Sequence, residues 1–429
     1  MTFSKGKNSF LNNKENFADW VSDIPESEIR RLLRYNPRYY FAGGKPGVIP
    51  LSTFHTIIQE IIEEEKKLLT DNNPNYLVNY NYGATEGNKA LRKVLATRLI
   101  QRDGLKNISE HDVVLTNGSQ QALHGLCDII LSPGDVILTT RPTYLGFLQP
   151  AEKCKGQIVT IPSDFEGMIP EYIPLAIEAC EKDLNLKPKI LYIVPYSDNP
   201  KGTTLPKNRK KAIIDYIFEY DLLLIEDMAY KEIQFDSTKI SPMKRLDIDN
   251  ERIAYISTTT KEAAALRIGY SVFPSSIRDE MIKVKGIYDL CSSEWVQAIL
   301  TKYYSKFIDL ALPSIRNEYR LRRNAMLQAC KEYLEGKFSK PTGGFFVWFE
   351  SAIPTFNSAT FIEKALKNDI SYVPGKAFFP LKGLDLCEDG KLVTSVPQLN
   401  TMRLGYSLLP SDLIREGIEH LGKLLKNLN

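Results

Sequence analysis

Several short stretches of this 429-residue chain set a reactive or ionic side chain beside a turn. Lys261 follows a run of hydroxyls in YISTTTKEAAALRIGY, with Arg267 six positions on. A lysine forms a Schiff base only when it is partly desolvated and held, and hydroxyls beside an arginine supply a grip for phosphate. Taken alone, a lysine in a threonine run is a surface residue. Gly118 and Ser119 open a helix directly after the apolar run VVLT. Free N–H groups and the helix dipole suit an anion there, although Gly-Ser also serves as a plain cap. Asp227 ends the apolar run LLLIED, three residues before Tyr230. An acid in that place can keep a proton on a pyridine nitrogen, or it can cap the next turn. Asn199 and Pro200 in YIVPYSDNPKGTTL offer an amide donor to a phenolate, or ordinary turn chemistry. Arg403 sits inside the short apolar run of NTMRLGYS, where a guanidinium needs an anion: a substrate carboxylate in two-pronged geometry, or a structural ion pair.

These residues need elements to bring them together. From about residue 50, helical stretches alternate with the short apolar runs HDVVLTNG, GDVILTT, GQIVTIP, KILYIVPY, DLLLIED and RIAYIST. Strands separated by helices predict an α/β fold with a mostly parallel (mixed) central sheet flanked by helices on both faces. Ligands bind such sheets at the carboxyl ends of the strands, which is where most of the polar residues above stand. After about residue 305, the long amphipathic helix SIRNEYRLRRNAMLQACKEYLE gives way to short strands, GFFVWFE and TMRLGYS, which predicts a smaller α+β domain. The organisation expected is an N-terminal arm over 1–45 joining the small domain, a large domain over 46–305 and a C-terminal small domain over 306–429. Within the arm, Ser27 to Leu33 reads as a short helix and PRYYFAGGKPG as a strand entering a glycine turn.

Composition excludes several classes. Lys and Arg total 55 against 52 Asp and Glu, a net charge of +3, so no broad field draws in nucleic acid or anionic lipid. No stretch is long and apolar enough to span a bilayer, and the start lacks a signal-peptide core, so a cytoplasmic protein is expected. Six scattered cysteines without a CxxC pair and four histidines without ligand spacing point away from disulfides and metal.

In order and position, Gly118-Ser119, Tyr144, Asn199-Pro200, Asp227-x-x-Tyr230, Lys261, Arg267 and Arg403 together resemble the fold-type I pyridoxal-phosphate aminotransferases of the class I/II superfamily. The resemblance runs from about residue 27 and takes in YGATEGNKALRKVLATRL, RPTYLGF, PTGGFFVWFE and VPGKAFFP. The start IRRLLRYNPRYYFAGGKPG is similar to the branch containing 2-aminoadipate, kynurenine and aromatic aminotransferases. What the resemblance implies is a pyridoxal 5'-phosphate enzyme that moves an amino group between an L-amino acid and a 2-oxoacid, working as a homodimer with active sites at the subunit interface. Lys261 would form the internal aldimine and then shuttle the substrate proton. Asp227 would bind the pyridinium nitrogen, Asn199 and Tyr230 the ring phenolate, and Tyr144 would stack on the ring. Gly118, Ser119, Gln120, Thr258, Thr260 and Arg267 would hold the phosphate, with Tyr82 reaching the phosphate of the neighbouring subunit. Arg403, with Asn199 and the backbone of Gly44, would hold the α-carboxylate. Arg30 stands where the branch can meet a side-chain carboxylate, or is a solvent-facing helix residue; Tyr39, Tyr40 and Phe41 line an aromatic pocket or fill a strand core.

The sequence departs from the family around the lysine. Thr258 and Thr260 replace serines, Arg267 lies one residue closer to Lys261, and EAAA stands where glycine or proline is usual. A loop that turns differently opens a second reading on the same cofactor, a lyase, cyclase or specialised biosynthetic α-carbon enzyme.

Overall fold

The computed structural model describes residues 16–235 and 239–427, so residues 1–15 of the expected arm lie outside the described residues. At its centre is a nine-stranded sheet. From one edge its strands are Leu392–Thr394, Gly383–Leu386, Gln157–Ile161, Val136–Thr140, Pro188–Ile193, Leu223–Asp227, Ile253–Thr258, Ile268–Val272 and Val113–Asn117. Ile268–Val272 runs antiparallel to both its neighbours, as does Leu392–Thr394 to Gly383–Leu386, while the strands between are parallel. Runs such as VVLT are apolar at every position because both faces are covered. Val113 and Leu115 pack with Phe54, Ile57 and Ile61 of the helix Leu51–Thr70, whereas Val114 packs on the other face with Ala122, Leu123 and Leu126 of the helix Gly118–Ile130. Each helix presents these residues at three- and four-residue spacing, which makes one apolar stripe.

A second, four-stranded antiparallel sheet orders Gly336–Phe338, Phe346–Ser351, Thr401–Gly405 and Val373–Pro374. The helices Ile308–Tyr333 and Ser411–Lys426 cover it. Ile414, Ile418, Leu421 and Leu425 form the inward stripe of the latter, and Trp348 is buried beside Met326, Ala329 and Cys330 of the former. The short helix expected near Ser27 spans Glu28–Leu32, and Tyr39–Tyr40 pairs in parallel with Ile370–Ser371.

One segment lies elsewhere than its place in the chain suggests. Gly383–Leu386 and Leu392–Thr394, assigned above to the C-terminal unit, extend the large sheet beside Gln157–Ile161. Without them the ladder groups of that strand would face solvent as an open edge. The Thr160 hydroxyl donates to Asp385 at 2.6 Å, and Arg141 pairs with the same carboxylate at 2.9 Å. Among the described residues, no helix is long and apolar enough to cross a membrane, and the six cysteines are free thiols.

Candidate active site

The parallel strands end on one edge of the large sheet, where Asp227 closes its own strand and the segments that follow the others carry Gly118, Tyr144, Asn199 and Lys261. Arg403 comes to the same place from the small sheet, in register with Trp348 and Val373. Between them is a cavity of about 360 Å³, lined by Arg30, Gly44, Gln120, Tyr144, Asn199, Tyr230, Lys261, Phe346 and Arg403, among others.

Lys261 Nζ lies 4.7 Å over the centroid of the Tyr230 ring. Burial pushes its ammonium down to about 8, against the pull of the Asp227 carboxylate, so about a tenth of the amine is free at neutral pH, far more than in an ordinary lysine. Asp227 is 2% exposed. Its carboxylate accepts from Tyr192 Oη at 3.0 Å and from the Ala229 N–H at 3.1 Å, yet burial still raises it to about 6. Tyr192 is itself fixed by stacking on Phe147, with centroids 3.8 Å apart.

The turn after Val113–Asn117 is shaped for an anion. Gly118 has φ +71°, and a Cβ there would lie 2.5 Å from the Arg267 guanidinium, so any other residue would block that approach. Gly269 packs equally close, since its Cβ would meet Ser119 N at 2.6 Å. The first turn of Gly118–Ile130 carries no side-chain cap. The guanidinium of Arg267 makes no hydrogen bond or ion pair among the described residues, so two sources of positive potential meet here without a partner. Thr258 and Thr260 are buried next to one another, Thr258 Oγ1 donating to Thr260 Oγ1 at 3.0 Å. The loop shortened between Lys261 and Arg267 closes through a tight turn at Ala264–Leu266 and a left-handed Arg267, φ +50°. For a non-glycine residue this costs about 1–2 kcal/mol. It delivers the guanidinium to Gly118 despite the missing residue.

Arg403 is fully buried. Nη1 donates to Asn199 Oδ1 and Nη2 to the Ala42 carbonyl, both at 2.8 Å, while Nε has no partner. No carboxylate among the described residues pairs with it, which removes the structural ion pair as its explanation. Burial lowers it to about 10, with only tyrosines pulling the other way, and its guanidinium carbon sits 4.0 Å over the Phe346 ring. A buried cation left in that state is costly unless an anion visits.

The remaining expected residues divide. Tyr144 donates to Gln120 Oε1 at 3.2 Å, so these two support one another at the cavity wall. Gly44 packs on Phe346, with room for no Cβ. Arg30 lines the cavity from an exposed helix position. Tyr39 and Phe41 are core and only Tyr40 is half-buried, and none of the three lines the cavity. Tyr82 is 81% exposed on the surface and is not brought to the cavity within one chain. Four residues were missed from the sequence: Tyr192 behind Asp227, Phe346 beneath Arg403, and the cavity-lining His124 and Gln149. His124 stands one helical turn after Gln120, a spacing that could have found it. Glu262 was passed over as well. It is 1% exposed and turned away from the cavity toward Tyr304, with Oε2 unpaired, and burial raises it to about 8.

Free N–H groups at a helix start beside a lone guanidinium suit a phosphate, and a buried acid beyond a depressed lysine suits a basic ring carrying an aldehyde. The aminotransferase class I and II family model matches residues 47–379. The chain belongs to that family. It is 32% identical over 427 residues to aromatic-amino-acid aminotransferase 1 of Thermococcus litoralis, covering 97% of this chain and 95% of that one. The crystal structure of Pyrococcus horikoshii kynurenine aminotransferase, in complex with PMP, superposes with a TM-score of 0.85 at 31% identity over 98% of this chain and 99% of that one. The α-aminoadipate aminotransferase of Thermus thermophilus, complexed with N-(5'-phosphopyridoxyl)-L-leucine, gives 0.81 at 26% identity over 96% and 98%. The aminotransferase fold is therefore type I, its cofactor is pyridoxal 5'-phosphate, and its reaction moves an amino group between an amino acid and a 2-oxoacid. These matches favour transamination over the lyase or cyclase alternative.

Proposed function

We propose that this aminotransferase takes L-amino acids with long side chains, aromatic or ending in a carboxylate, and that Lys261 carries the cofactor. The observation that carries the reading is the fully buried Arg403 guanidinium, which has no carboxylate partner and shares a cavity with Lys261. It selects the α-carboxylate of an amino acid over a simple amine. Asn199 Oδ1 and the Ala42 carbonyl hold two of its N–H groups; the remaining three, Nε among them, are free to grip two oxygens.

Bound at Lys261, pyridoxal 5'-phosphate supplies an electron sink conjugated to the substrate Cα. Lys261 would act on the substrate Cα proton as a base, since its lowered basicity keeps it partly neutral. Asp227, held by Tyr192, would keep the ring nitrogen protonated. Asn199, whose amide nitrogen is uncommitted among the described residues, and Tyr230 would donate to the ring phenolate. Tyr144 would cover the ring. Gly118, Ser119, Gln120, Arg267 and the hydroxyls of Thr258 and Thr260 would hold the phosphate.

Ile29, Leu33 and Leu145 make part of the cavity wall apolar, while Arg30 and Lys45 line it with positive charge. That combination suits an aromatic ring or an aliphatic chain with a distal carboxylate. The reading includes a homodimer. Leu69, Leu77, Val78 and Tyr82, 47% to 81% exposed, form an apolar surface that a second subunit would cover, and Tyr82 would then approach the partner's phosphate site. Free thiols suit a reducing compartment such as the cytoplasm. A donor panel of phenylalanine, tyrosine, kynurenine, 2-aminoadipate, glutamate and alanine, followed by cofactor absorbance and product analysis, tests the reading. Higher kcat/KM for the long donors over alanine is expected; preference for alanine, or product formed without amino transfer to an added 2-oxoacid, refutes it.

A further inference from the structure

We infer that the protein carries a second ligand site, for a small organic anion with an apolar ring, in the cleft between helix Lys207–Glu219, the turn Met243–Leu246 and Thr342. The cleft encloses about 770 Å³ and shares no lining residue with the catalytic cavity. Its volume holds a ring with an anionic head group.

Its chemistry is two-sided. Ile214, Met243 and the ring of Tyr196 make an apolar wall, and Lys207, Lys210 and Arg245 bring positive charge to the same space. Arg245 donates to Ser241 Oγ at 3.0 Å, and Lys207 makes no ion pair among the described residues. The one carboxylate at the cleft, Asp215, is already paired with Lys211 at 2.7 Å. The cleft also faces the start of Lys207–Glu219, whose cap residue, Pro206, supplies no side-chain acceptor, so the positive end of that helix adds to the field.

Lys210 is the observation that points to a ligand. Its side chain is 9% exposed, and its ammonium lies 3.5 Å from the centroid of the Tyr196 ring on the cleft wall. It makes no hydrogen bond and no close ion pair among the described residues. A long lysine stem normally carries its ammonium out to water; here it is folded onto an aromatic face, where the ring replaces only part of the lost hydration. Glu226, the nearest influence of opposite sign, already accepts from the N–H groups of Met243 at 2.7 Å and Lys244 at 3.0 Å. Burial raises that carboxyl and lowers the Lys210 ammonium, each drawn back by the charge of the other, but Glu226 gives the ammonium no hydrogen bond. An anion entering the cleft supplies the hydrogen-bond acceptors that the ammonium lacks and adds negative charge beside it, while its ring covers Ile214 and Met243.

Phenyl phosphate titrated into the pyridoxal-phosphate holoenzyme by calorimetry tests the site, with inorganic phosphate and phenol as separate arms. One saturable event per chain is expected, at least 10-fold tighter than either arm, with the cofactor absorbance unchanged. Lys210→Met should weaken it at least 10-fold, Lys210→Arg should restore most of it, and Arg403→Lys should leave it intact. If Lys210→Met fails to fold, Ile214→Trp, which fills the cleft from its wall, should abolish the event. The inference is overturned by absence of saturable binding, by inorganic phosphate binding as tightly, by indifference to Lys210→Met or Ile214→Trp, or by a shift of the cofactor band, which would locate the probe in the catalytic cavity.

Discussion

Replacing Arg403 by lysine separates recognition of the α-carboxylate from everything else the cavity does. The guanidinium has five N–H donors, of which two are spent on Asn199 Oδ1 and the Ala42 carbonyl. The rest can make a two-pronged grip on a carboxylate. A lysine keeps the charge but offers a compact ammonium, so one of the two charge-assisted bonds is lost, worth about 1.5–3 kcal/mol. This corresponds to a fall of about 10- to 150-fold in kcat/KM. The assay is the single half-reaction with excess donor, followed by cofactor absorbance for phenylalanine and, in parallel, for phenethylamine, which lacks the carboxylate. The two substrates and two proteins form a cycle whose coupling isolates the carboxylate contact. The expected result is a large loss for phenylalanine and little change for phenethylamine. An equal loss with both substrates would refute the reasoning, because Arg403 would then act by holding Asn199 and the arm rather than by binding substrate.

Three further outcomes follow from the geometry. Lys261→Ala should abolish turnover and the visible cofactor absorbance, and borohydride should no longer fix the cofactor to the chain; fixation that persists would show another lysine to be the attachment point. Tyr192→Phe removes the phenol that donates to Asp227 at 3.0 Å. It should lower kcat about 10-fold with KM little changed, from the loss of one hydrogen bond to a carboxylate, and an unaltered kcat would show that Phe147 stacking alone positions the acid. Glu262→Gln addresses stability: burial raises the folded-state carboxyl to about 8, above its unfolded value, so the wild-type protein loses stability as pH rises through that range. The variant has no such proton to lose, so its advantage in Tm over wild type should grow between pH 5 and pH 9; parallel curves would place Glu262 in contact with water or a counter-charge.

How much of this was legible in the residues depends on the kind of information each carries. Gly118, Asn199, Asp227 and Lys261 could be singled out because they stand at or a few residues beyond the ends of apolar runs, and a parallel sheet gathers the carboxyl ends of its strands along one edge. Arg403 stood out because a guanidinium in an apolar strand requires an anion. For these, local sequence and a general rule of sheet architecture were enough. Tyr192 carried no comparable mark, since an aromatic residue inside KILYIV reads as strand filling, and its hydroxyl gains a purpose only once the neighbouring strand places Asp227 in reach. His124 and Gln149 belong to two helices separated in the sequence by a strand, which pack against each other only once the sheet is formed.

The chain order of polar turns and apolar runs was sufficient to determine an α/β sheet and the family resemblance, and to nominate Lys261 as the residue for the cofactor. Tertiary structure alone decided three matters. It put the segment 383–394 on the open edge of the large sheet, where its backbone satisfies unpaired ladder groups. It let a left-handed Arg267 make up for a loop one residue short. It also left Arg403 without a carboxylate partner among the described residues, because whether a charge is paired depends on which distant side chains fold against it, and spacing along a chain does not encode that.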